Sequence, residues 1–237
     1  MAKNFKKVLV CVATMLMIVS VLTVSAFATL GLTASEGWTW DEENKTLTLN
    51  NANITEKVTL PAGSKIVVKG NNTIAVEGAD AITCEGELTI SGEGSLKLTG
   101  SNGIMATSVS ISGIAVDFSG TSCGIQVINE TGDAAVQLSK VTGKIVGGYA
   151  GIYVNGECTE KEAKVVIDGC TLDVTSTATS YNNRARKSGI TVYVSKAEKV
   201  ESSITIINSK VNAVGADAGL AINNYLGDAD ATNSACS

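Results

Sequence analysis

Histidine is absent from the 237-residue chain, and aromatic residues make up only 4% of it. Without histidine there is no Ser-His-Asp triad, no Cys-His dyad and no histidine-ligated metal site. Basic residues are also scarce, because 18 Lys and Arg face 23 Asp and Glu and give a formal net charge of −5. Neutralising nucleic-acid phosphates needs a basic face, so the composition excludes an electrostatic nucleic-acid binder.

Proline is nearly absent too, with one residue in the chain against 24 glycines. Interior strands of a sheet use their backbone N–H groups to hydrogen-bond the neighbouring strands, and proline has no N–H. A chain built of such strands is therefore expected to contain little proline. Glycine and asparagine suit the left-handed turns between strands. Short segments alternate apolar and polar residues with no helical period, which predicts an all-β protein whose strands each bury one face.

The first 28 residues have the pattern of an export signal. Three lysines precede an uncharged apolar run over residues 8–24, and Ala26-Phe27-Ala28 supplies a small-x-small cleavage pattern. We therefore predict a signal peptide over residues 1–28 and a secreted mature chain that begins at Thr29, in the medium or at the cell surface. Loss of the three lysines changes the net charge from −5 to −8. The long apolar run leaves an uncleaved membrane anchor as the alternative.

Five cysteines follow the leader, and their spacings match no zinc-binding or CxxC pattern. Cys158 and Cys170 could form a disulfide that closes a short loop. The alternative, which we favour, is that the cysteines serve as small buried hydrophobic residues.

One sequence phrase recurs along the chain: a short strand, a polar turn, a second short strand, another turn, and then Gly-Ile-x-x. The first strands of the copies begin at Ile66, Leu88, Val109, Val136, Val165 and Ile204, which are 22, 21, 27, 29 and 39 residues apart. Three short strands in 21 to 22 residues predict a parallel β-helix, or β-solenoid, of about seven coils over residues 47–222. A β-sandwich is the rival fold. In the β-helix, one inward stack is formed by Ile82, Ile104, Ile125, Ile152, Ile190 and Leu220.

The two ends of the predicted β-helix differ. Residues 29–46 are expected to form an N-terminal segment and cap, in which Gly37-Trp38-Thr39-Trp40-Asp41 pairs as a hairpin with the strand that starts at Thr46. Trp38 and Trp40 share one face of this hairpin, either as the apolar plug of the cap or as a pair that stacks on a sugar. Residues 223–237 are polar and form the predicted C-terminal tail.

Several phrases of the first half carry a family resemblance. They are Gly37-Trp38-Thr39-Trp40-Asp41, the run from Thr46 to Ile54, Leu60-Pro61-Ala62-Gly63-Ser64, the run from Gly70 to Ile74, and the run from Leu88 to Leu96. The chain resembles secreted clostridial carbohydrate-binding domain-containing proteins with a right-handed parallel β-helix of the pectate-lyase-like kind. The resemblance implies polysaccharide binding at the cell surface or in the medium, often with calcium. It transfers no catalytic residue.

The candidate glycan site lies on the side of the later coils. If Ile152 and Ile190 point inward, Tyr153 and Tyr193 point outward as diagonal neighbours, and Tyr149 lies on the same side. A long insertion over residues 175–188 adds four more candidates, Tyr181, Arg184, Arg186 and Lys187. Aromatic rings stack on sugars and arginine pairs with carboxylates or hydroxyls, so this basic, aromatic region predicts a binding site. The alternative is a solvated loop whose tyrosines cover apolar surface.

Calcium is the only cofactor that the sequence suggests, and the indication is weak. Asp117, Asp168 and Asp173 fall at turn and outward positions of neighbouring strands, but no established calcium-loop motif occurs. We therefore expect a non-catalytic polysaccharide-binding protein. The alternatives are a pectate-lyase-like polysaccharide lyase, with Arg184, Arg186 or Lys187 as base, and a structural adhesin or surface spacer.

Overall fold

The computed structural model describes residues 30–32, 36–156, 162–179, 187–195 and 201–225. The predicted leader lies outside the described residues, as does the chain after Tyr225. The described strands are β1 (Trp38–Asp41), β2 (Thr46–Asn50), β3 (Asn53–Ile54), β4 (Val58–Leu60), β5 (Ser64–Lys69), β6 (Asn71–Ala75), β7 (Ile82–Cys84), β8 (Glu87–Gly92), β9 (Ser95–Ala106), β10 (Ser108–Ser112), β11 (Ala115–Asn129), β12 (Ala134–Ser139), β13 (Thr142–Gly147), β14 (Ala150–Gly156), β15 (Ala163–Asp168), β16 (Thr171–Ser176), β17 (Ser188–Ser195), β18 (Ser202–Ile207), β19 (Lys210–Val214) and β20 (Ala218–Tyr225). The protein is all-β, as the alternation predicts, and β20 extends three residues past the predicted boundary at residue 222.

The strands form two sheets in which nearly all neighbours are parallel. The eight-stranded sheet has the order β1-β2-β5-β8-β10-β12-β15-β18. The twelve-stranded sheet has two arms, because β9 and β11 each pair with one set of strands through their first half and with another set through their second half. The first arm contains β3, β6, β13, β16 and β19, and the second arm contains β4, β7, β14, β17 and β20. From β2 onward, the chain runs repeatedly through the eight-stranded sheet, the first arm and the second arm in that order.

The predicted isoleucine stack lies in register along the second arm. Cα partners join Ile82 to Ile104, Ile104 to Ile125, Ile125 to Ile152, Ile152 to Ile190, and Ile190 to Leu220. The five isoleucines are completely buried and belong to one continuous core. The glycine of each Gly-Ile phrase allows close approach of the next strand of the arm: a Cβ at Gly124 would lie 2.8 Å from the carbonyl oxygen of Gly151. The stack is therefore confirmed.

The register of the second repeat differs from the prediction by two residues. Ile66 pairs with Ile90, and Leu88 pairs with Ser64. Ser64 is buried, and its hydroxyl donates a hydrogen bond to the carbonyl oxygen of Pro61 at 2.7 Å. A polar residue thus occupies an inward position of β5, so the apolar alternation alone missed the start of this strand. A shift of two residues keeps the same face inward, which preserves the core.

The N-terminal hairpin has the predicted antiparallel pairing, with Trp38 opposite Leu49 and Trp40 opposite Leu47. Asp41 stabilises its turn by accepting a hydrogen bond from the backbone N–H of Asn44 at 3.1 Å. Trp38 is buried in the main core and Trp40 packs against it. These contacts support the interpretation of the two tryptophans as an apolar plug. Two residues missed by the sequence analysis, Leu30 and Leu32, are also buried in this core.

The described cysteines are buried and carry free thiols, as the hydrophobic interpretation predicts. They are Cys84, Cys123 and Cys170. Cys158 lies outside the described residues, so the disulfide alternative with Cys170 stays a prediction. Among the described residues, no helix is long and apolar enough to cross a membrane.

Candidate functional site

The candidate tyrosines lie together on the second arm, in a small cluster separate from the main core. The buried members of this cluster are Cys123, Ala150, Tyr153 and Tyr193, and the partly buried Tyr149 packs against them. The rings of Tyr149 and Tyr153 meet edge to face, with centroids 5.7 Å apart. Tyr153 pairs with Thr191 while Tyr193 pairs with Asn155, so the predicted diagonal arrangement is confirmed.

The predicted exposure of these rings is wrong. Tyr153 is 7% exposed and Tyr193 is 6% exposed. Every residue of β14 is buried, so both faces of this strand are covered rather than the core face alone. In this structure, neither buried ring presents a face on which a sugar could stack, whereas Tyr149 is only partly buried.

The insertion over residues 175–188 supplies fewer described candidates. Tyr181, Arg184 and Arg186 lie outside the described residues. Lys187 is described, and its backbone N–H donates a hydrogen bond to Oδ2 of Asp217 at 2.9 Å. At the start of the insertion, the hydroxyl of Ser176 donates to the carbonyl oxygen of Tyr149 at 2.7 Å. The start of the insertion is thus fixed beside the tyrosine cluster.

We expect the Cys123 thiol to report whether the tyrosine cluster is closed. Burial raises the pKa of Cys123 from 9.0 to about 11, and the thiolate is the reactive form of cysteine. At pH 8 this shift lowers the thiolate fraction about 100-fold, because each pKa unit is a factor of ten. Alkylation of the native protein, followed by mass spectrometry of the Cys123 peptide, should therefore show very slow labelling that accelerates after Tyr153→Ala. Rapid labelling of the parent at pH 8 would mean that the tyrosine face is open.

A groove on the first arm is lined by exposed polar groups. Its volume is about 720 Å³, and it is lined by Val116, Asp117, Thr142, Gly143, Lys144, Thr171, Leu172, Asp173, Lys210 and Asn212. Gly143 pairs with Val116 on one side and with Leu172 on the other. At this position the neighbouring strands β11 and β16 carry the apolar side chains of Val116 and Leu172, whereas β13 carries no side chain. The groove therefore lies where one side chain is missing from a regular row.

A ladder of charged and polar side chains runs across the strands beside Gly143. The register aligns Lys97, Asp117, Lys144, Asp173 and Asn212 on successive strands. Oδ2 of Asp117 lies 3.6 Å from Nζ of Lys97, and its Oδ1 lies 3.3 Å from Nζ of Lys144. Asn212 donates a hydrogen bond to Oδ1 of Asp173 at 3.1 Å. Exposed pairs of this kind add little stability, so the ladder is available for a binding role.

The three predicted calcium ligands are not brought together. Asp117 is paired with two lysines, and Lys144 separates it from Asp173 in the ladder. Asp168 lies on the eight-stranded sheet, where Oδ1 accepts a hydrogen bond from Asn208. Within the described ranges, no three acidic or cysteine residues cluster in a way that could hold a metal ion. The prediction that these three aspartates form a calcium site is therefore wrong.

The sequence analysis missed the groove, although its signal is visible in the repeats. Ala115-Val116-Asp117, Thr142-Gly143-Lys144 and Thr171-Leu172-Asp173 occupy the same place in three successive repeats. The middle copy replaces an inward aliphatic residue by glycine and an outward carboxylate by an ammonium group. An alignment of the repeats by register, rather than by apolar alternation, would have found this difference.

In comparisons with known proteins, no family model, no curated protein and no solved structure matches the chain. Its function is therefore argued from the groove and the fold.

Proposed function

We propose that the two sheets are the walls of a right-handed parallel β-helix with seven coils. The support is the repeated order of eight-stranded sheet, first arm and second arm from β2 to β20. Parallel crossover connections are right-handed in nearly all proteins, which gives the handedness. The antiparallel β1 then covers the N-terminal end of the eight-stranded sheet, in keeping with the predicted cap.

On this fold we propose a secreted, non-catalytic protein that binds polysaccharide in the groove of the first arm. The observation that carries the proposal is the alignment of three strands, β13, β16 and β19, which place the polar residues Lys144, Asp173 and Asn212 at the groove about 4.8 Å apart. Such a periodic row suits a repeating polymer. Threonine hydroxyls, the Asn212 amide and the charged groups can donate to and accept from sugar hydroxyls.

The charges of the groove favour an acidic or neutral glycan over a basic ligand. Three lysines, Lys97, Lys144 and Lys210, lie in or beside it, against two aspartates. The region is thus slightly positive on a molecule whose net charge is negative. Long-range repulsion of an acidic glycan by the whole protein is screened by salt, and the local lysines then supply attraction.

A binding panel of insoluble and soluble glycans tests this proposal. We expect the double variant Lys144→Gln/Asn212→Ala to lower the affinity for the bound glycan about tenfold or more, since each lost hydrogen bond to a charged group costs about 1.5–3 kcal/mol. The free energy of unfolding should stay nearly unchanged, because both side chains are exposed.

The matched control is Lys65→Gln/Gln137→Ala, which changes the same kinds of residue at exposed positions of the eight-stranded sheet. This control should bind like the parent. Loss of binding in Arg184→Ser/Arg186→Ser, with full binding by the groove variant, would move the site to the insertion. A parent protein that binds no glycan would favour the spacer, and unsaturated product from polygalacturonate with calcium would identify a lyase.

A further inference from the structure

The sign of the charge alternates from strand to strand along the first arm. The register places Lys97 on β9, Asp117 on β11, Lys144 on β13 and Asp173 on β16 in one row. On the next strand, β19, this row continues with Asn212, and Lys210 lies two residues earlier on the same strand, also at the groove. Lysines therefore recur on every second strand, and aspartates occupy the strands between them.

Pairing within the row accounts for only part of this pattern. Asp117 forms ion pairs with both neighbouring lysines, but the side chains of Lys97 and Lys144 remain 56% and 58% exposed. Asp173 accepts a hydrogen bond from Asn212 instead. Among the described residues, no ion pair includes Asp173 or Lys210. The groove thus presents ammonium and carboxylate groups in turn to a ligand.

The long axis of the groove crosses the strands. Its lining residues come from four successive strands, β11, β13, β16 and β19, which together span about 14 Å at about 4.8 Å per step. Along each strand the lining covers at most three positions, such as Thr142 to Lys144 on β13, which is about 7 Å. An extended polysaccharide therefore fits with its chain across the strands, so that successive sugars meet successive strands.

We propose, building on the glycan binding proposed above, that the groove selects a polysaccharide with an acidic group on every second sugar. One sugar of an extended chain spans about one strand spacing, so acidic groups on alternate sugars recur roughly every 9.6 Å and meet the lysines. The neutral sugars between them face the aspartates, whose oxygens accept hydrogen bonds from sugar hydroxyls.

The same order of charges disfavours other classes of glycan. A polymer with a carboxylate on every sugar, such as polygalacturonate, places carboxylates against Asp117 and Asp173, and like charges in contact oppose binding. A neutral polymer avoids this repulsion but lacks the ion pairs with lysine that an acidic sugar adds. Selectivity thus comes from the order of the charges along the groove rather than from their sum.

Isothermal titration calorimetry with three oligosaccharides of equal length tests this selectivity on protein purified after expression of the full chain. The probes are fragments of hyaluronan, in which glucuronate alternates with a neutral sugar, of polygalacturonate and of cellulose. We expect the parent to bind the hyaluronan fragment about tenfold or more tightly than either of the others. The double variant Asp117→Asn/Asp173→Asn removes the repulsion, so it should bind polygalacturonate about tenfold more tightly than the parent does and lose the preference for hyaluronan. Its unfolding midpoint should match that of the parent, because exposed ion pairs add little stability.

The matched control is Glu87→Gln/Asp168→Asn, which removes two negative charges at exposed positions of the eight-stranded sheet. This control should keep the parental preference. Equal or tighter binding of polygalacturonate or cellulose by the parent, or an unchanged preference in Asp117→Asn/Asp173→Asn, would overturn the selectivity and leave glycan binding in the groove standing. A parent that binds none of the three fragments would also overturn it; binding of another glycan on the panel would then preserve the proposed function, and no binding at all would overturn both.

Discussion

Replacing Ile125 by Asp is expected to abolish cooperative folding or to lower the free energy of unfolding by about 4 kcal/mol or more. Ile125 is completely buried and lies between Ile104 and Ile152 in the isoleucine stack. A carboxylate at this position has no cationic partner, and burying an uncompensated charge costs several kcal/mol. Because the total stability of a domain is about 5–15 kcal/mol, one such change removes a large part of it. Urea denaturation followed by circular dichroism measures the effect.

Two matched variants separate the buried charge from other causes. Ile125→Val keeps an apolar side chain and should cost about 0.5–1.5 kcal/mol. Thr89→Asp introduces the same carboxylate at an exposed outward position of β8 and should change stability by about 0.5 kcal/mol at most. A folded Ile125→Asp variant with parental stability would contradict the inward register of the whole stack.

The core of this fold is readable from sequence because its signal is local and repeated. Every Gly-Ile phrase contributes one isoleucine or leucine to the same stack, so several copies predict the same register independently. The prediction failed where polar residues are buried. Ser64 and Asn72 occupy inward positions opposite Leu88 and Leu96, and their burial depends on hydrogen bonds from other segments.

Asn72 illustrates why such positions escape sequence analysis. Its Oδ1 accepts a hydrogen bond from the backbone N–H of Ala52 at 2.9 Å, and its Nδ2 donates to the carbonyl oxygens of Lys69 and Ser95. These partners come from three different repeats. Burial of a polar group is tolerated when its hydrogen bonds are satisfied, and no local pattern shows that they are.

The candidate site was less predictable than the core. Period two correctly placed Tyr153 and Tyr193 away from the isoleucine stack, but it does not tell whether an outward ring is exposed, and both rings are buried. The groove forms where Gly143 has no side chain. This difference between the repeats becomes visible only once the strands are aligned by register. Surface function on a repetitive fold is thus encoded in departures from the repeat.

The second large effect is expected at Gly143, whose replacement by Ala should lower the free energy of unfolding by about 3 kcal/mol or more. Its φ is +122°, which L residues rarely adopt, and a Cβ there would collide with the carbonyl oxygen of Val116. The backbone conformation alone costs about 1–3 kcal/mol and forced overpacking adds about 1–3 kcal/mol. Urea denaturation again gives the measurement.

Gly63→Ala is the matched control, because Gly63 also has a positive φ, +78°, but a Cβ there would contact nothing within 4 Å. It should lose only the conformational part, about 1–2 kcal/mol, and should bind glycan like the parent. At Gly143 the collision can be relieved only by moving β13 against β11, and this movement changes the spacing of the groove. Gly143→Ala should therefore lose glycan affinity even under conditions in which it remains fully folded. Equal losses of stability at the two glycines would contradict the close approach at Val116, and unchanged binding by folded Gly143→Ala would separate the groove from the proposed function.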